Sequence, residues 1–286
     1  MPPRLILNAD DFGLTPGINR AIAELHAAGC LTSATLMATG PAFDDAVRIA
    51  QTHPTLAVGC HIVLVDGTPV LPPETLPTLC PNARTFRPKL FSFIHDLLHG
   101  RIAAAEIERE ARAQIQKLQA AGLPLTHIDT HKHTHIFPTA ASPLLAALES
   151  TRIHSIRNPL EPPFIATVAN GNIMQHLKVK STRFLQPRFL ALPQIHSHEV
   201  LTTDGTLGIA ATGDLNVTTL RRLLESLPAD GTYELLCHPG YNDADLDAVN
   251  TRLREHREIE LHALLHEIPR ILTLPNAPTL INYSEL

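Results

Sequence analysis

Between residues 4 and 64 the chain alternates short apolar runs with helical patterns, and this alternation restricts the possible folds more than any other feature. Residues 4–9 form a nearly uninterrupted apolar run that stops at Asp10-Asp11-Phe12-Gly13, where paired acids and a glycine mark the end of a strand. Thr15-Pro16 then starts a helix: threonine is a natural N-cap, proline suits the first helical position, and Ile18, Ile22 and Leu25 recur at helical spacing before Gly29 closes the segment. The pattern predicts a second strand over 31–38, a second helix over 41–52 with Phe43, Val47 and Ala50 inward, and a third strand over 56–64. Strands this continuously apolar need cover on both faces, and a β-α-β-α-β order supplies it as a parallel sheet flanked by helices.

The remainder continues the same theme. Pro69, Pro72, Pro73, Pro77 and Pro81 break up 66–87, which reads as a long loop leaving the third strand. A helix over 102–121 carries Ile107, Ala111, Ile115 and Leu118 as its apolar stripe and ends at Gly122. Further helices are predicted over 139–149, 215–227 and 245–266, and further strands over 153–157, 233–237 and 279–283. Residues 158–198, with their prolines and the basic cluster Lys178, Lys180 and Arg183, read as helical fragments and loop. No linker-like break divides the 286 residues, so one α/β domain over 1–286 is expected.

Composition excludes several functions. A hydrophobic content of 44% supports a sizeable core, and a net charge of -5 without a basic stripe argues against a nucleic-acid partner. No run approaches the roughly 18 apolar residues of a membrane span, and four cysteines without CxxC spacing indicate reduced thiols, not a disulfide framework. The N-terminus lacks the apolar core of a signal peptide, so a cytoplasmic protein is expected.

The densest chemistry lies in His127-Ile128-Asp129-Thr130-His131-Lys132-His133-Thr134-His135. In an extended chain His127, Asp129, His131, His133 and His135 would share one face, and such a row is costly inside a sheet unless it has partners such as a metal. Other reactive groups fall where strands end: Asp10 and Asp11 after the first, His61 late in the third, His238 in Cys237-His238-Pro239-Gly240. Each alone has a plain explanation, as a helix-capping acid, a core imidazole or a turn residue. Together they collect at the C-terminal strand ends, where parallel α/β folds build their sites.

These stretches, with Asn8-Ala9-Asp10-Asp11-Phe12-Gly13, Gly59-Cys60-His61 and the closing Ile281-Asn282-Tyr283-Ser284-Glu285-Leu286, resemble the YdjC-like carbohydrate deacetylases over nearly the whole chain. The 63–73 stretch and the His131-Lys132-His133 wording are similar to the hopanoid-biosynthesis-associated branch. The resemblance implies a distorted parallel (β/α) barrel of the polysaccharide-deacetylase-like type and removal of an N-acetyl group from a small amino-sugar substrate. It implies one divalent ion, magnesium or zinc, on Asp11, His61 and His131, with Asp10 as general base and His238 as general acid. Arg157 and His133 are expected near the substrate, Arg157 with the alternative of orienting Asp10. Where the family often has Asp-Ser-His-His-His-Val-His, this chain has Asp129-Thr130-His131-Lys132-His133-Thr134-His135. A metal-dependent hydrolase of another amide or ester, and a catalytically silent sugar-binding protein, are the alternatives. The 66–87 loop is expected to wall the substrate mouth; a dimerisation arm, making the protein a homodimer, is the competing expectation.

Overall fold

Thr15 caps the first helix as its sequence predicts, its hydroxyl accepting from the Ile18 backbone N at 3.2 Å. This structure is a computed structural model that describes residues 2–165 and 184–286. Its elements in chain order begin β1 (Arg4–Phe12), α1 (Pro16–Ala27), β2 (Ser33–Leu36), α2 (Phe43–Thr52), β3 (Ala57–Ile62), α3 (Leu90–Leu98), α4 (Ala104–Ala120), β4 (Leu125–Thr130) and α5 (Pro138–Thr151). They continue with α6 (Gln186–Leu190), α7 (Pro193–His196), β5 (Gly205–Leu207), α8 (Val217–Glu225), β6 (Thr232–Cys237), α9 (Ala244–Asp247), α10 (Glu255–Leu272) and β7 (Thr279–Ile281).

All named strand pairs are parallel, in the order β4-β3-β2-β1-β6-β5. Strand β6 runs along one edge of β1 from Arg4 to Ala9, so β7, beside Arg4–Ile6, and β2, beside Asn8–Phe12, share the other. Beyond β4 the sheet continues through two single bridges, Ile128 with Ile156 and Ser155 with Leu201. Thr206 N on β5 then donates to Leu160 O at 3.0 Å. These contacts join the two sheet edges and close a distorted (β/α) barrel. The strand expected over 153–157 is therefore only a bridging segment, because proline occupies 159, 162 and 163 and the Asn158 side chain, donating to Thr203 O at 2.9 Å, takes the place of ladder bonds.

Strand alternation sorts the residues into two environments. Leu5, Leu7 and Ala9 of β1, Ala34 and Leu36 of β2, and Val58, Cys60 and Ile62 of β3 join the apolar core. The opposite faces carry Asn8, Asp10, Ser33, Thr35, His61, His127, Asp129 and Glu234, all buried. The barrel interior is thus polar, and it is viable because most of these groups bond to one another. Gly59 belongs to this face for steric reasons: a Cβ there would lie 2.5 Å from the His127 ring, which stacks on Tyr283 at 3.6 Å between centroids.

One further expectation is corrected, and one helix is added. The helix expected over 245–266 is two: Asp243 caps the single turn α9, and α10 starts only at Glu255 and runs through Pro269 to Leu272. Helix α3, which buries Phe93 and Leu97, was not anticipated. The 66–87 segment is a loop, as expected, and it places Leu76, Leu79, Cys80 and Phe86 in the core. Of the 158–198 region, α6 and α7 match the expected fragments, and Lys178, Lys180 and Arg183 lie outside the described residues. No helix among the described residues is long and apolar enough to cross a membrane.

Candidate active site

At the C-terminal end of β1 two adjacent aspartates are sent to different partners by one backbone feature. Asp11 has φ 64, a left-handed conformation uncommon for a residue with a Cβ, and it re-aims the side chain that regular alternation would bury among the helices. Its Oδ1 lies 3.6 Å from His61 Nε2 and 3.6 Å from His131 Nδ1. The three ligand atoms lie within 4.8 Å of one another, a spacing that fits a single divalent ion. His61 Nδ1 meets Asp129 Oδ1 at 2.7 Å, so the ring is held by a carboxylate on the side away from Asp11, the support that metal-binding histidines generally have. A second group, Asp10, His61 and Asp129, is equally close, but its carboxylates are already engaged by Arg157. The Asp11 set also contains the half-buried His131 and so reaches the surface, which a catalytic ion requires.

Asp10 points into the barrel. Arg157 Nη1 and Nη2 donate to its two oxygens at 2.9 and 2.6 Å. The same fully buried guanidinium contacts Asp129 at 2.5 Å and Glu234 at 2.6 Å, and Glu234 also accepts from the Tyr283 hydroxyl. Burial by itself would raise the Asp10 carboxyl, but Arg157, together with His61 and His238, outweighs it and holds Asp10 well below the usual carboxylate range. The Arg157 side chain is fully buried, and its contacts include Asp10, one of the two partners expected for it. His238 follows β6, with Nε2 3.9 Å from Asp10 Oδ2. Its burial, against the pull of Asp10 and Asp11, lowers the imidazole to about 4, so it is neutral at pH 7.

The row of five in-phase side chains does not exist. Strand β4 ends at Thr130, and 131–136 form a 3-10 segment in which Lys132 and His133 have φ 58 and 52. These two left-handed residues turn the chain, so of the row's four histidines only His131 joins Asp11 and His61 in the candidate ligand set. His127 stays below, stacked on Tyr283, and buried His135 bonds Thr130 Oγ1 at 2.6 Å and Arg157 O at 3.2 Å. His133 is half-buried, with an Nδ1 that has no partner among the described residues, and burial lowers it to about 3. Lys132 donates to Asp66 Oδ2 at 2.7 Å, which clasps the 66–87 loop beside His131. The loop is fixed from α4 as well: Glu110 accepts from Val70 N and Leu71 N, and Glu106 from Thr78 N and Leu79 N.

The model of the family described as YdjC-like protein matches residues 4–271. The chain belongs to this family. A carbohydrate deacetylase of Brevibacillus brevis is 34% identical over 243 residues, covering 84% of this chain and 82% of the relative. A carbohydrate deacetylase of Geobacillus stearothermophilus is 33% identical over 247 residues, covering 86% and 83%. A crystal structure from Enterococcus faecalis V583, of a protein provisionally assigned to cellobiose-phosphate cleavage, superposes with a TM-score of 0.80 at 25% identity, covering 100% of this chain and 99% of that one.

In this YdjC-like chain the sequence pattern singles out Asp10, Asp11, His61, His131 and His238, and the structure brings all five together at one barrel end. It does not single out Thr35, Glu234, Arg257, Glu260 or Tyr283. Glu234 carried a signal, being a charge inside the apolar run of β6. Arg257 carried a fainter one, as the first member of the α10 stripe completed by Leu261, Leu264 and Ile268, all buried.

His61 gives metal binding a pH dependence. Burial disfavours charge on His61, but Asp129, Asp10 and Asp11 raise it to about 9, so the imidazole is protonated at neutral pH. An ion on Nε2 has to displace that proton. Binding should release about one proton between pH 7 and 8, and affinity should fall about tenfold per pH unit below about 9 and level off above it. Calorimetry in buffers of different ionisation enthalpy checks this, and proton release independent of pH up to 10 would contradict it.

Proposed function

We propose that the protein is a metal-dependent carbohydrate N-deacetylase that hydrolyses the acetamide of an amino sugar to acetate and a free amine. The observation that carries this reading is the divided aspartate pair, Asp11 facing two imidazoles and Asp10 facing Arg157 and His238. The carbohydrate deacetylases of B. brevis and G. stearothermophilus support the substrate class. Two imidazoles and one carboxylate suit zinc, manganese, cobalt or iron better than magnesium. Once bound, such an ion supplies a Lewis acid for the acetyl oxygen and lowers the pKa of a water.

The chain's own residues handle the proton. Asp10, kept anionic by Arg157, takes it from the attacking water. His238 is neutral at rest and only 3.9 Å away, so it receives the proton during the reaction and delivers it to the departing nitrogen as the C–N bond breaks. Burial of both groups keeps bulk water from intercepting the transfer. The finer reading of the substrate is an N-acetylglucosamine carried by a hopanoid lipid, supported by the wording of 63–73 and 131–133. Acetate release from N-acetylated monosaccharides, chitooligosaccharides and N-acetylglucosaminyl lipids tests the proposal, with O-acetylated sugars alongside. Release from an N-acetylated member is expected; release only from the esters, or from none, overturns it.

The 66–87 loop forms one wall of the mouth, since its first residue is clasped to the segment carrying His131. Lys132→Met should raise KM about two- to fivefold with little change in kcat, the scale of a partly exposed ion pair. Unaltered steady-state kinetics with a changed size on chromatography would assign the loop to self-association instead.

A further inference from the structure

Asp11 is gripped by a helix that contributes nothing else to the ligand set. Arg257 of α10 is almost completely buried, and its Nη2 donates to Asp11 Oδ2 at 2.6 Å. Its Nε donates to Leu253 O at 3.1 Å, while Nη1 has no partner among the described residues. The turn after β6 makes room for the guanidinium stem: a Cβ on Gly240 would stand 3.1 Å from Arg257 Cδ and 2.8 Å from Ile18 Cγ1. The two oxygens of Asp11 are therefore divided, Oδ1 toward His61 and His131 and Oδ2 toward Arg257.

We infer that Arg257 is a positioning residue that restricts Asp11 to one oxygen at the ion and thereby keeps a coordination position open for substrate. The inference rests on the metal site proposed above and concerns how many positions the protein leaves free. A carboxylate can bind a divalent ion through one oxygen or both. With three protein ligands, a second oxygen from Asp11 would take a place that water and the acetyl oxygen need. Swinging Oδ2 toward the ion would strand a buried guanidinium, which such sites resist. The left-handed backbone at Asp11 makes the side chain's direction dependent on support from a residue such as this one. Glu260, one turn along α10, accepts from His238 N at 2.6 Å, so the same helix also sets the turn of the proposed acid without touching the ligands.

Co2+ is the probe. Metal-stripped wild type, Asp11→Ala, Arg257→Gln, Arg257→Lys and Glu260→Gln are titrated with Co2+ while the d–d absorption is recorded, and acetate release is measured on the loaded samples. Wild type should bind one equivalent and Asp11→Ala should lose it. Arg257→Gln should keep Co2+ within about tenfold of wild-type affinity but with a weaker d–d band, the sign of a higher coordination number, and kcat should fall about 10- to 100-fold. Arg257→Lys, a cation without the planar fork, should give a band between the two. Glu260→Gln should leave the band unchanged. A wild-type band in either Arg257 variant overturns the inference, and if Arg257→Gln does not fold, Arg257→Lys decides alone. Loss of Co2+ binding in the folded variants also overturns it, since Arg257 would then merely hold Asp11 in place. Failure of wild type to bind Co2+ through Asp11 would remove the metal site itself, and the inference with it.

Discussion

Asp10→Asn is expected to lower kcat by about 100-fold or more while leaving metal stoichiometry intact. The two effects separate because the proposed ligand atoms belong to Asp11, His61 and His131, and Asp10 faces the other way, onto Arg157. An amide at position 10 can still receive one bond from the guanidinium, so geometry is largely kept while the capacity to take a proton is lost. His238→Ala should fall by a similar factor with the metal retained, for the complementary reason that the departing nitrogen loses its donor. Single-turnover acetate release on metal-loaded variants measures both. Near-normal turnover in either variant would remove the role given to that residue.

Arg157→Met is expected to be the most destabilising of the changes considered. The guanidinium is fully buried and touches three carboxylates, Asp10, Asp129 and Glu234. Removing one partner of a buried ion pair costs about 3–5 kcal/mol, a large part of the roughly 5–15 kcal/mol that separates folded from unfolded chains. Here one cation serves three anions, which places the loss at the upper end. The urea midpoint at pH 7 should drop accordingly, and an unchanged midpoint would contradict the electrostatic description of the barrel interior. The sign of the pH dependence follows. Without Arg157, burial raises the folded-state pKa of the Asp10 and Glu234 carboxyls above their unfolded values, so the variant should recover stability as pH is lowered from 7 toward the ordinary carboxylate range near 4.

The sequence was most legible where local chemistry decides structure. Thr15-Pro16 specified the start of α1, and the apolar runs of β1, β2 and β3 specified a parallel sheet, because capping and alternation act over a few residues. The site was legible for a related reason: an acid or imidazole in an otherwise apolar strand must have a partner, which exposed Asp10, His61 and His238. The histidine row failed because its turn depends on left-handed conformations at Lys132 and His133, and neither residue announces one as a glycine would. The bridging segment near 155 and the second start of the C-terminal helix were hidden because tertiary bonds, such as that from Asn158 to Thr203, decide them. Arg257 was hidden by distance, its partner Asp11 lying 246 residues away in the chain.

The most direct measurement is acetate release from the best N-acetylated sugar by chelator-stripped protein, as one divalent ion is added back in fractions of an equivalent. No release is expected at zero equivalents, followed by a linear rise that levels off at one equivalent, as a single ion on Asp11, His61 and His131 requires. Full release before any ion is added, or a rise that continues to two equivalents, would contradict a one-ion deacetylase.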